Sequence, residues 1–327
     1  MKRVRCSALV CITSICLSFV FLTQSGLAAE KYPTRPIEIV CAFQPGGAAD
    51  MTNRVWAKYL EKYLGVSLML VNKPGGGGVI GVTYLAKGSP DGYRIANFSD
   101  HMLTAIILGN ATYTLDDLRI VAQVNLIANT VAVRGDAPWK TYQEFVEYAK
   151  KNPGVKYGHQ GLGSSAHLRM ENLNRVAQLK MVGVPFKGDG ETVPALLGKH
   201  VPVAVIGAGA AKPQADAGKL RILFSFEPPE DVGLDSSIPY FSAVYGKSTP
   251  DIDIPTYLVV PKKTPEHIVQ ILKKAAEKMA KDPDFIKENQ KWFMRVNYID
   301  GEVASKQLIP AKINRLRALY KEVGMLK

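Results

Sequence analysis

Beyond its first 28 residues this 327-residue chain contains a single cysteine, Cys41, so no intramolecular disulfide can staple the fold. A chain destined for an oxidising compartment must then draw its stability from its core. Cys41 lies in an apolar strand pattern and reads as a buried, inert thiol. Acidic residues are outnumbered, with 29 Asp and Glu against 41 Lys and Arg, for a net charge of +12. The excess does not signal nucleic-acid binding, because no basic stretch is interleaved with aromatics. Lys262, Lys263, Lys273, Lys274, Lys278, Lys281, Lys287 and Lys291 are spaced as on solvated helix faces. A weak pull on anionic ligands is what the charge implies.

Other absences exclude chemistry. The glycine run Gly75–Gly78 is not followed by Gly-Lys-Ser or Gly-Lys-Thr, so it reads as a tight connection rather than a phosphate loop. No Gly-x-Ser-x-Gly elbow accompanies Ser164, Ser165 and His167, which removes the main signature of a hydrolase. His167 and Glu171 stand four apart on one helix, but His101, His159, His200 and His267 form no spaced cluster with them. A zinc site needs three or four ligands. No metal, cofactor or catalytic constellation is expected.

The amino terminus is informative. Lys2, Arg3 and Arg5 precede an apolar stretch from Ala8 to Leu22, then Gly26-Leu27-Ala28. That stretch is shorter than the ~20 residues of a membrane span, and a small-residue cleavage site follows. Residues 1–28 therefore read as a cleavable export signal, which also removes Cys6, Cys11 and Cys16. Losing three basic and no acidic residues leaves a mature charge of +9. About 300 residues with 47% hydrophobic content suffice for one large or two ordinary domains.

Strand-like runs alternate with helical patterns: Ile37–Ala42 then Met51–Leu64, Ser67–Val71 then Gly78–Lys87, and Tyr93–Phe98 then a mixed segment to Leu108. The rhythm argues for βαβ units and a parallel sheet. In the first helix Met51, Val55, Tyr59, Leu60 and Tyr63 or Leu64 share a face, and Gly65 is placed to end it. Trp56 falls in the core. After an extended segment at Asn129–Val133 the pattern restarts, with a helix Thr141–Lys151, strands at Lys156–His159, Met181–Val184, Val201–Ile206 and Leu220–Phe224, and short helices at Glu191–Leu197 and Pro213–Ala217. The strand Tyr257–Val260 leads to Thr264-Pro265-Glu266, which predicts a helix capped by Thr264 with proline at its first position. Extended crossings near 128–133 and 252–258 would join two αβ lobes, with a cleft between them.

Two corners point to the ligand. Gln44-Pro45-Gly46-Gly47-Ala48-Ala49-Asp50 runs from the first strand into a helix, and Gly161-Leu162-Gly163-Ser164-Ser165-Ala166-His167 repeats the arrangement halfway along the chain. Backbone amides at such turns, with the positive end of a helix dipole behind them, attract anions. One corner per lobe makes a clamp on an anion. Phe43 is the aromatic nearest the ligand. Asp50 either serves the helix start or faces the cleft, where it would meet a ligand ammonium or order a water.

With these features in hand, the chain resembles the tripartite tricarboxylate transporter substrate-binding proteins, the Bug family. The resemblance runs nearly end to end. It rests on Tyr32-Pro33-Thr34-Arg35-Pro36-Ile37, Pro45-Gly46-Gly47-Ala48-Ala49-Asp50, Asn72-Lys73-Pro74-Gly75-Gly76-Gly77-Gly78, Pro90-Asp91-Gly92-Tyr93, the Gly161–Leu168 run and Val184-Pro185-Phe186-Lys187-Gly188. It implies an α/β, type II-like two-lobed periplasmic binding protein with two crossing strands. The lobes would be residues 29–128 plus 253–327, and 129–252. It further implies a non-enzymatic, monomeric protein that presents a di- or tricarboxylate, or a related organic acid, to a carrier with one large and one small membrane subunit. Carried over by position, the ligand would meet Phe43, Pro45, Gly46, Gly47, Ala48 and Asp50 from one loop, with Gly161, Gly163, Ser164, Ser165 and His167 from the other. Gly198-Lys199-His200-Val201-Pro202 and the segment Glu227–Asp253 depart from the family pattern.

Two rival readings exist. A periplasmic sensor would bind the same ligand and signal to a membrane partner. An exported oxidoreductase would use Gly161-Leu162-Gly163-Ser164-Ser165-Ala166 as a dinucleotide fingerprint, but no acid follows at Val182–Pro185, where such a site needs one.

Overall fold

The computed structural model describes residues 31–246, 253–322 and 324–326. The export signal with its three cysteines, and Asp251 of the Glu227–Asp253 segment, lie outside them. Eleven strands are described: β1 (Ile37–Cys41), β2 (Leu68–Asn72), β3 (Arg94–Phe98), β4 (Leu118–Ile127), β5 (Asn129–Arg134), β6 (Lys156–His159), β7 (Val182–Pro185), β8 (Val203–Gly207), β9 (Leu220–Ser225), β10 (Ile254–Pro261) and β11 (Met294–Asp300). The helices used below are α1 (Ala48–Leu64), α2 (Val79–Ala86), α3 (His101–Ile107), α4 (Tyr142–Lys151), α5 (Ser165–Val176), α6 (Asp189–Leu197), α7 (Ala208–Asp216), α8 (Phe241–Tyr245), α9 (Glu266–Lys281), α10 (Pro283–Lys291) and α11 (Ile309–Glu322).

The strands form two sheets, in the orders β11-β4-β10-β3-β1-β2 and β7-β6-β8-β5-β9. Strands β1, β2 and β3 pair in parallel, as do β6, β7 and β8, each linked by a helix in the expected βαβ manner. The sheets are nonetheless mixed rather than parallel throughout. Strand β10 lies antiparallel between β3 and β4, and β5 lies antiparallel between β8 and β9. The cause is connectivity. Strand β4 of the first sheet passes into β5 of the second through Ala128 alone, and a strand entering by direct extension has no crossover helix to turn it parallel.

Local signals hold where they are strong. Helix α1 ends at Gly65, whose φ of 73° is left-handed and whose N–H donates to the Glu61 carbonyl at 2.9 Å. Trp56 is fully buried, and its indole N–H donates to Asn125 Oδ1 at 2.7 Å. The Cys41 thiol is buried and donates weakly to the Phe43 carbonyl, while desolvation pushes its pKa up to about 12, which makes it inert. One cap differs. Helix α9 begins at Glu266 with Pro265 as its N-cap, and Thr264 Oγ1 donates to Pro261 O instead of capping. The sequence pattern does not reveal β4, a ten-residue buried strand that includes Gln123 and Asn125, or α3, β11, α10 and α11.

Each sheet has its own core, and α5 contributes to both. Leu168 packs with Val40, Met102, Tyr257 and Tyr320 of the first sheet and its helices. Ala166, Met170 and Leu173 on the opposite face pack with Val131, Phe145 and Phe224 of the second. Helix α5 is thus clasped between the two halves, with Arg175 reaching Glu322 of α11 at 3.3 Å.

Candidate ligand site between the two sheets

Three strand-to-helix corners converge on one small cavity of about 30 Å³. Gly47 and Ala49 come from the start of α1, Ser164 and Ser165 from the start of α5, and Gly188 and Asp189 from the start of α6. Phe43, Ser99, His101, Ile127, Asn129, Gln160 and Ile254 complete the wall. The first amides of a helix have no intrahelical partner and carry its positive partial charge. No lysine or arginine is among the described residues of the wall. Its one charged side chain, Asp189, is engaged by Gln160 Nε2 at 2.6 Å and by the Gly207 N–H at 3.2 Å. The donors this wall offers are peptide dipoles and neutral side chains.

Three buried polar atoms of the wall lack partners: Ser165 Oγ, His101 Nε2 and Asn129 Oδ1. Such atoms are costly unless something bonds to them. Ser164 caps α5 by accepting the His167 N–H at 3.2 Å, which leaves its hydroxyl proton available. The His101 ring stands edge-on to Phe43 and Phe98, with Nδ1 2.9 Å from Ser99 Oγ. Desolvation lowers its pKa from 6.5 to about 3, so it is a neutral imidazole near pH 7.

The predicted site residues divide by position. Phe43, Gly47, Ser164 and Ser165 line the cavity. Ala48 begins α1. Pro45 and Gly46 are exposed on the outer side of the loop, and Gly161 faces a neighbouring groove. Asp50 is buried behind the corner, where it accepts the Gly46 N–H at 3.1 Å, Arg54 Nε at 2.8 Å and Asn72 Nδ2 at 3.0 Å. This geometry is that of a loop brace, and it takes the Gly46 amide away from any ligand. His167 is likewise turned inward, its Nδ1 accepting the Gly163 N–H at 3.1 Å. It stacks 4.1 Å from His159, whose Nδ1–H donates to Gly161 O at 3.0 Å. Burial lowers the pKa of His159 to about 3 and that of His167 to about 4, so the stacked pair is uncharged.

Sequence reasoning misses Ser99, His101, Asn129, Gln160, Gly188 and Asp189. For Gly188-Asp189 a signal existed: a third glycine corner between β7 and α6, of the same kind as the other two. His101 and Asn129 carry no local signal, since distant packing brings them in. The dinucleotide reading gains nothing. The Gly161–Ala166 loop does join a strand to a helix, but β7 ends without an acid and Gly77 lies backbone-to-backbone against the loop, where an added Cβ would sit 2.7 Å from Leu162 O.

The family model for the Tripartite tricarboxylate transporter family receptor matches residues 52–325. The chain belongs to this family. The family is one of solute-binding receptors of tripartite transporters. The "UPF0065 protein in gbd 5'region" of Cupriavidus necator is 31% identical over 307 residues, 91% of this chain and 90% of that protein. The solved periplasmic binding protein BugD superposes with a TM-score of 0.83 at 27% identity, covering 90% of this chain and all of that one. A protein of R. palustris solved with adipate has the same fold, with a TM-score of 0.84 at 23% identity over 90% of this chain and 99% of its own. The two-lobed periplasmic binding-protein architecture is thereby established for this receptor. No described helix is long and apolar enough to cross a membrane.

Proposed function

We propose that this receptor is exported, loses residues 1–28, captures a small organic carboxylate between its lobes, and presents it as a monomer to the large and small membrane subunits of a tripartite tricarboxylate-type transporter. The lobes in this reading are residues 29–128 with 253–327, and 129–252. The observation that carries the proposal is the convergence of three helix N-termini on a cavity that has no cation in its described wall but has unpartnered buried Ser165 Oγ and His101 Nε2. A carboxylate satisfies all of these donors. The ligand head would accept from amides of Gly47–Ala49 and from Ser164 and Ser165. Closure of the lobes then follows from tighter binding to the closed state than to the open one.

A thermal-shift screen of residues 29–327 against mono-, di- and tricarboxylates, acidic amino acids and NAD tests the reading. A ligand at 100 times its Kd stabilises by ~2.7 kcal/mol, enough to move Tm visibly. A rise with one carboxylate class is the expected result. A rise with NAD alone, or with no carboxylate at millimolar concentration, overturns it.

A further inference from the structure

The inner cavity does not stand alone. Phe43 and Gln160 line both it and a second, open groove of about 500 Å³ on the outer side of the same lobe junction. The groove's walls are Val79, Ile80, Leu162, Pro185 and Phe186, and its floor is the Gly75–Gly78 run. Ile80 is 54% exposed and Leu162 64%, on opposite sides of the junction. Large apolar side chains left facing one another across a concave, solvent-filled space mark a binding surface.

Volume decides how a ligand divides between the two spaces. A water-sized site needs about 10–15 Å³, so the 30 Å³ cavity holds roughly two such sites, the two oxygens of one carboxylate. The rest of a larger ligand would pass Phe43 and Gln160 into the groove, since these two residues line both spaces. A second carboxylate finds no unpaired lysine or arginine among the described residues there. Lys187, the one lysine or arginine among the described groove residues, is paired with Glu191 at 3.7 Å, and Glu191 also accepts from Gln44 Nε2 at 3.5 Å.

We infer that the ligand is a monocarboxylate with an apolar, aromatic-sized body, its head in the inner cavity and its body in the Ile80–Leu162–Phe186 groove. The inference rests on the carboxylate reading above, and its test separates the two. Calorimetric titrations of the mature protein with benzoate, phenylacetate and 3-phenylpropionate are compared with acetate, succinate and malate. They are repeated on the Ile80→Gln/Leu162→Gln double variant, whose exposed side chains can change without disturbing a core. At least one aryl acid is expected to bind tenfold or more tighter than succinate. The double variant should weaken that acid at least tenfold while acetate or succinate changes less than twofold. Succinate or malate binding as tightly as the aryl acids, or a double variant that weakens both classes equally or neither, overturns the aryl-ligand inference and leaves carboxylate capture intact. Failure of every carboxylate to bind overturns both.

Discussion

Asp50 shows how one residue type serves either of two roles that sequence leaves open. An acid in the first turn of α1 is favourable beside the helix dipole, and a cleft-facing acid would be a ligand contact. The three bonds from Gly46, Arg54 and Asn72 assign it to bracing the loop, with 1% of its surface exposed. Replacing it with alanine removes the charged acceptor shared by the Gly46 N–H, the Asn72 amide and Arg54, at a cost of about 2 kcal/mol. The urea midpoint of Asp50→Ala should fall accordingly, and Asp50→Asn should fall less. Weakened ligand binding with unchanged stability would instead return Asp50 to the cleft. Ser165 shows the opposite case. It is flagged by its corner alone, and its unpartnered hydroxyl gains meaning from the cavity it faces.

The helices and their corners meet across the junction at glycines. A Cβ on Gly190 would lie 2.3 Å from the Pro45 carbonyl oxygen, and one on Gly47 would lie 3.1 Å from Asp189 Cβ. These contacts join the start of α1 to the start of α6, so close approach of two backbones, rather than of backbone to ligand alone, calls for glycine there. Gly190 is the second residue of α6, where alanine suits the helix itself by up to ~1 kcal/mol. Gly190→Ala therefore separates helix stability from lobe contact. The variant should keep or slightly raise its Tm, show a larger radius of gyration by solution scattering, and bind ligand at least tenfold more weakly. An unchanged radius and affinity would mean that closure does not pass through this contact. Helix α5 is a firmer joint, since burying Leu168 in the first core stabilises by roughly 1.5–3 kcal/mol.

At the scale of the whole molecule, neutral buried histidines couple stability to pH. His101, His159 and His167 have folded-state values of about 3, 3 and 4, against 6.5 when unfolded. As pH falls below about 6, the unfolded chain takes up protons that the native state refuses, so stability is lost. Asp100 acts the other way, because burial raises its value from 3.8 to about 6 despite Lys312 at 2.8 Å, and the native state gains a proton there. Three histidines less one aspartate leave about two protons, a loss of roughly 2.7 kcal/mol per pH unit between about pH 6 and 4. Urea midpoints should fall steeply over that range, and His159→Gln should flatten the slope by about one proton. A midpoint constant from pH 6 to 4 would show that these rings titrate normally. Much of this protein was legible in its residues, because strand-end glycine corners, capped helices and βαβ alternation are local patterns with local causes. Phe43, Gly47, Ser164 and Ser165 came from such patterns, as did the two-lobed α/β class. His101, Asn129 and the antiparallel entry of β5 and β10 did not, because each depends on segments far apart in the chain. Sequence determined which turns offer free amides. Tertiary packing decided which amides Asp50 and His167 consume, which polar atoms are left facing the cavity, and how little room remains around them, since hydrogen-bond partners and volume are properties of what comes to lie nearby.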